Sequence, residues 1–280
     1  MKTKILTSFL ALVLIFSCKN ESKAEQSSTT STSEAFNNML DNYYEDGLKL
    51  NPLNATFAGD NRFNDQLPNI LSDEYIANVK AYYSSYNDKL KTFNDDDLSD
   101  SEKMTKAILQ WECDINLEAF NFRADLRPID QMWSPHLMVG QLASGASAQP
   151  FKTVEDYNNW LKRLDGYVDW LHSAEAKMKE GIELGHVLPK SLIVKVLPQL
   201  ESGTIDDLDQ HLFFTPIKNL PDDFSDYDKK ALTEAYTKKL TEKVIPAYKS
   251  LHKFMSTDYL AAGRETSGID AIPDGKNLYN

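Results

Sequence analysis

With 280 residues, 41% of them hydrophobic and 26% charged, the chain has the composition of a soluble globular protein with enough apolar residues for a sizeable core. Its formal net charge of −12 excludes a nucleic-acid groove or a polybasic membrane contact, both of which need clustered Lys and Arg. Acidity of this size favours solubility and identifies no substrate.

Residues 1–17 carry Lys2 and Lys4 ahead of the apolar run 5–16. That run is too short to span a bilayer and has the form of a secretory signal. Leu14-Ile15-Phe16-Ser17-Cys18 resembles a bacterial lipobox, in which the cysteine is lipidated and becomes the first mature residue. Phe16 is larger than the strict pattern prefers, and an ordinary signal with an incidental cysteine is the other reading. Cleavage before Cys18 would move the formal charge from −12 to −14. Only Cys113 would then remain besides the lipidated residue, so no intramolecular disulfide forms even in an oxidising compartment. Lys19-Asn20-Glu21 resembles the charged tags that send some Gram-negative lipoproteins to the cell surface. The expected location is the cell envelope, with the membrane as a partner through the lipid on Cys18. Residues 18–33 are polar, without aromatic or branched aliphatic side chains after Cys18, and read as a flexible tether.

From 34 to 280 the pattern is helical, and the fold class it predicts is all-α, an irregular multi-helix bundle. Phe36, Met39, Leu40, Tyr43, Tyr44 and Leu48 recur at steps of three and four until Asn51-Pro52 ends the run. Ser72 caps a second helix whose stripe includes Tyr75, Tyr82, Tyr83, Tyr86, Leu90 and Phe93. Ser99 and Glu102 form a capping box for a third, with Met104, Ile108, Trp111, Ile115 and Phe120 as its apolar positions. Residues 127–151 hold three prolines and two glycines without a sustained period, which predicts a long irregular crossing; loops of that length are usually functional or packed against something. Thr153 opens the clearest helix, which runs through Trp160, Leu164 and Leu171 to a C-cap at Gly185. Pro189 starts a shorter helix, strained by Pro198. Ser225 starts the last long one, in which Pro246 should introduce a kink.

Catalytic motifs do not emerge. The histidines are His136, His172, His186, His211 and His252, the closest two 14 residues apart, whereas a zinc peptidase helix needs two at i and i+4 with a glutamate between. His172 with Glu175 reads as a solvated helix face. Ser144 lies in no nucleophile elbow, and Asp95, Asp96 and Asp97 read as a solvated helix-start cluster rather than a calcium loop. Cys113 reads as a small buried hydrophobe. Tyr82, Tyr83 and Tyr86 read either as core or as one wall of a peptide or glycan groove. Met132, Trp133 and His136, in the irregular crossing, are the candidate cleft-facing residues, with a hydrogen-bonded structural role as the alternative for His136.

Several segments in order carry a resemblance: "NPLNATFAGD" at 51–60, "DYNNWLKRL" at 156–164, "GIELGHVLPKSLI" at 181–193, "VIPAYKSLHKFM" at 244–255, and "IPDGKNLY" at 272–279. Together they resemble the N-terminal half of the domain of unknown function 885 family, helical bacterial proteins that are often secreted lipoproteins. The resemblance implies a metallopeptidase-like hydrolase whose zinc-binding His-Glu helix lies in a later half. No catalytic or metal-binding residue transfers to this chain, zinc is expected only in that later half, and a peptide is the implied substrate. The Pro-Asp-Gly turn at 273–275 would open the second half, with Leu278 and Tyr279 as the first apolar residues of an element beyond it. A half of this kind should leave an apolar face uncovered. A self-sufficient, non-catalytic helical lipoprotein that binds a peptide or glycan is the alternative.

Overall fold

The computed structural model describes residues 21–279, with side chains described from residue 31. Cys18 and the signal segment lie outside the described residues. Within them the protein is all-α, and its only extended pairing is an isolated bridge between Pro189 and Arg264.

Helix α1 (Glu21–Leu50) begins inside the stretch read as a tether. Its apolar face starts at Phe36, and Ser33 is hydrogen-bonded to Glu102, so the upstream turns extend a helix that is anchored further along. Asn51 ends it and caps α2 (Pro52–Phe57), where Pro52 occupies a position that needs no N–H donor. Helices α3 (Asp73–Lys91) and α4 (Asp100–Ala119) start at Ser72 and at the Ser99–Glu102 capping box, both as the sequence predicts. With α1 they enclose a small core of Phe36, Met39, Tyr86, Leu90, Leu109 and Cys113.

The third helix turns out to be rotated from the face its sequence suggests. Met104, Ile108, Trp111 and Ile115 are 67%, 59%, 65% and 44% exposed; Leu109 and Cys113 face inward instead. The helix carries two apolar stripes, and α1 and α3 cover only one.

The crossing at 127–151 contains a helix, α5 (Pro135–Ala143). Its period is hidden because most of its surface is covered: His136, Val139, Gly140, Leu142 and Ala143 are all buried. Ser134-Pro135 starts it, and Gly145, at φ 73, follows its end. Helix α6 (Val154–Leu184) runs from a Thr153–Asp156 capping box to Gly185 at φ 76. It is the spine of the larger core, fully burying Trp160, Tyr167 and Trp170, each worth roughly 2–3 kcal/mol. Helix α7 (Lys190–Glu201) follows Pro189 and tolerates Pro198. After the short α8 (Thr215–Lys218), Ser225 caps α9 (Asp226–Lys239). A π-helical turn, Leu240–Val244, joins α9 to α10 (Ile245–Phe254), and a second, Met255–Tyr259, joins α10 to α11 (Leu260–Ala262). The wide first turn ends two residues before Pro246, whose ring would crowd the carbonyl four residues back in a regular helix.

At the C-terminal end Asp274 takes a positive φ, at 55°. Gly275 opens α12 (Gly275–Tyr279) because a Cβ there would sit 1.9 Å from the Ile269 carbonyl oxygen.

Candidate functional site

The candidate residues of the crossing separate. Met132 and Trp133 are 64% and 78% exposed, while His136 is buried at 4%. Asp130 Oδ1 accepts from the backbone N–H groups of Met132 and Trp133 at 2.6 and 2.7 Å, which fixes a tight turn and pushes both side chains outward. His136 lies below, with Nδ1 2.7 Å from Ser134 Oγ and Nε2 3.0 Å from Gln199 Oε1. Gln199 Nε2 in turn donates to the Gln131 carbonyl. Both ring nitrogens are occupied, and burial lowers the imidazole pKa. His136 ties the crossing to α7, the structural alternative raised for it above.

His186 Nδ1 lies 2.9 Å from Arg127 Nη1, and His211 spans the Gly203 carbonyl and the Phe213 N–H. His172 is exposed. Among the described residues no three His, Cys, Asp or Glu side chains come together as a metal site. The described residues do not themselves make the zinc site that the resemblance assigns to a later half. Burial pushes the Cys113 thiol up to about 11, and the Glu112 and Asp114 carboxylates add to the shift; it is no nucleophile at neutral pH.

Arg163, in one of the segments that carry the family resemblance, is fully buried. Its Nε donates to the Gln66 carbonyl at 3.0 Å and Nη1 to Gln149 Oε1 at 2.6 Å. Nη2 donates to Thr56 Oγ1 at 2.9 Å and to the Phe63 carbonyl at 2.7 Å. Without a carboxylate in this shell, burial draws its pKa down to about 10. Two segments that carry the family resemblance, around Thr56 and Arg163, therefore meet in one buried knot. The signal was in the sequence: Arg163 shares the apolar face of Trp160, Leu164 and Tyr167 at helical spacing.

Two cavities border the small core. One, of about 730 Å³, lies between α3, α4 and α6 and includes Lys80, Arg123, Asp125, Lys177 and Glu180. Arg123, in the left-handed region at φ 48, reaches Asp125 at 3.0 Å and Glu180 at 2.7 Å. Lys177 approaches Asp125 at 3.3 Å. Burial raises the Asp125 carboxyl, but Arg123 and then Lys177 outweigh it and hold the group below its ordinary range. These charges satisfy one another.

The other cavity, about 420 Å³, is lined by Tyr43, Tyr44, Tyr75, Tyr82, Tyr83 and Glu112 together with residues of α1 and α2. Tyr43 stacks on Tyr82 with centroids 5.1 Å apart, and Tyr82 meets Tyr83 edge-on at 5.0 Å. Gly47 permits this packing, since a Cβ there would lie 3.0 Å from the Tyr82 hydroxyl. Of the tyrosines read as core or groove, Tyr86 belongs to the core and Tyr82 and Tyr83 line the cavity.

The model of a family described as "Bacterial protein of unknown function (DUF885)" matches residues 52–280. In fold the chain is similar to the crystal structure of "the putative lipoprotein from Colwellia psychrerythraea", with a TM-score of 0.71 at 19% identity, over 89% of this chain and 45% of that one. It thus spans less than half the length of that neighbour. No curated protein matches. The ordered segments, the helical fold and the matched length agree, and the chain belongs to the DUF885 family of bacterial proteins.

Proposed function

We propose that this chain is the N-terminal, substrate-channel-forming part of a metal-dependent, peptidase-like hydrolase of the bacterial cell envelope. It would be anchored by lipid on Cys18 and inactive alone. The carrying observation is the uncovered stripe of Met104, Ile108, Trp111 and Ile115 on α4, in a chain that spans 45% of its structural neighbour. Covering roughly 400 Å² of apolar surface is worth ~10 kcal/mol, and large exposed apolar patches mark interaction sites. The occupant in this reading is the remainder of a longer family member, which brings both a complementary helical face and the zinc ligands. Met132 and Trp133, held outward by Asp130, would face the peptide. The test is the length of the native product and its zinc-dependent hydrolysis of peptides.

A self-sufficient lipoprotein that binds a peptide or glycan without catalysis is favoured by one observation, the tyrosine-lined cavity, which is complete within this chain.

A further inference from the structure

We infer that the tyrosine-lined cavity between α1, α2, α3 and Glu112 of α4 is a binding site for a primary ammonium group on an aliphatic stem. A lysine side chain or a free aliphatic diamine carries that chemistry. Because every lining residue belongs to this chain, the inference does not depend on the function proposed above.

Three of the cavity's five tyrosine hydroxyls donate into the protein: Tyr43 to Glu112 Oε1 at 2.9 Å, Tyr75 to the Leu50 carbonyl at 3.2 Å, and Tyr82 to the Tyr43 carbonyl at 2.8 Å. Their hydrogens are spent, so these three tyrosines present π faces and oxygen lone pairs, while Asn51 and Asn54 add amide groups at the α1–α2 end of the lining. Burial, reinforced by the bond to Glu112, raises the Tyr43 pKa and keeps that hydroxyl a donor. Among the described residues, Glu112 is the only charged member of the lining, and no Lys or Arg lines the cavity to neutralise it. Tyr43 holds one of the Glu112 oxygens, and the other has no partner among the described residues.

A half-buried carboxylate with one free oxygen, set among aromatic faces, is electron-rich and lacks a cation. Cation–π attraction and a charge-assisted hydrogen bond both favour an ammonium there. A neutral glycan can still meet the Asn51 and Asn54 amides, which also line the cavity, but it brings no charge for Glu112. The volume, about 420 Å³, admits a butylammonium stem and lies within the usual range for small-molecule sites. The stem would run along Leu48, Leu50 and Val79, which also line the cavity.

Calorimetric titration of the full chain in detergent tests this, with Nα-acetyl-lysine amide, its neutral isostere Nα-acetyl-norleucine amide, cadaverine and chitobiose as probes. The lysine derivative should bind at least about tenfold more tightly than the norleucine derivative, since one ion contact is worth on the order of 1.4 kcal/mol or more. Glu112→Gln, which keeps an acceptor for Tyr43, should lower lysine-amide affinity about tenfold. Tyr44→Ala, at a residue 57% exposed and so separable from folding, should lower it severalfold. Stronger binding of cadaverine than of the lysine derivative would support the site and name a free diamine as its source; the reverse would name a peptide side chain. Equal affinity for the charged and neutral isosteres, chitobiose binding without lysine-amide binding, or no binding of any amine at about 10 mM would each overturn the inference.

Discussion

Single residues decide how the two parts of the protein are tied together. Arg163 supplies four hydrogen bonds to neutral acceptors in a fully buried setting, and a buried acceptor left unpaired costs about 1–3 kcal/mol. Arg163→Met should therefore destabilise the fold by about 3 kcal/mol or more in urea unfolding. Arg163→Lys should recover little of this, because an ammonium cannot reproduce the planar fork. A loss below about 1 kcal/mol would show that the knot is not a stabilising element. The buried histidines give a second expectation. His136, His186 and His211 all have pKa values lowered from 6.5, in each case by burial first; the Arg127 charge adds to the shift at His186, while the Gly203 carbonyl opposes it at His211. With the folded-state values depressed, the unfolded chain binds more protons below about 6.5, so stability is full above that pH and falls as pH drops through it. The free energy of unfolding should be lower at pH 5.5 than at pH 7.5. This window lies above the range in which the carboxylates titrate. An unchanged or higher value at pH 5.5 would contradict the account.

At the level of elements, capping residues were the most legible part of the sequence. Ser72, Ser99, Thr153 and Ser225 each start a helix where the spacing predicts, because a side-chain acceptor at the N-cap is a local requirement. What escaped was set by neighbours distant in sequence. Helix α5 shows no period because it is covered on most sides, and the orientation of α4 depends on which of its two stripes α1 and α3 cover. Adjacent residues on α4 give a direct check. Leu109→Ala, at a site 5% exposed, should cost about 2–4 kcal/mol. Ile108→Lys, at a site 59% exposed, should cost less than about 0.5 kcal/mol and reduce binding of an apolar dye. Comparable losses at the two sites would mean that α4 is rotated from this description. Of the crossing residues read as cleft-facing, Met132 and Trp133 are exposed and His136 is buried; the sequence could not separate them because the side of the crossing that packs on α7 is set by Gln199, far along the chain. Glu112 does not stand out in the sequence because its place beside the tyrosines arises only where α4 meets α1 and α3.

For the molecule as a whole, the larger core is built on α6 and the smaller one on α1, α3 and α4. They are joined across a cavity bridged by Arg123, Asp125, Lys177 and Glu180. On this frame the stripe on α4 and the Met132–Trp133 turn present large apolar side chains to the outside. Composition and periodicity established the helical class, and the ordered motifs established the family. Neither reveals which of the two stripes on α4 stays exposed, because that depends on how α1 and α3 pack against it. The most direct measurement is immunodetection, in native envelope fractions, of the product that carries residues 34–280, combined with its zinc content. The account predicts a detergent-released protein about twice this length that contains stoichiometric zinc and hydrolyses peptides. A metal-free native product of 280 residues or fewer that keeps its fold would contradict it.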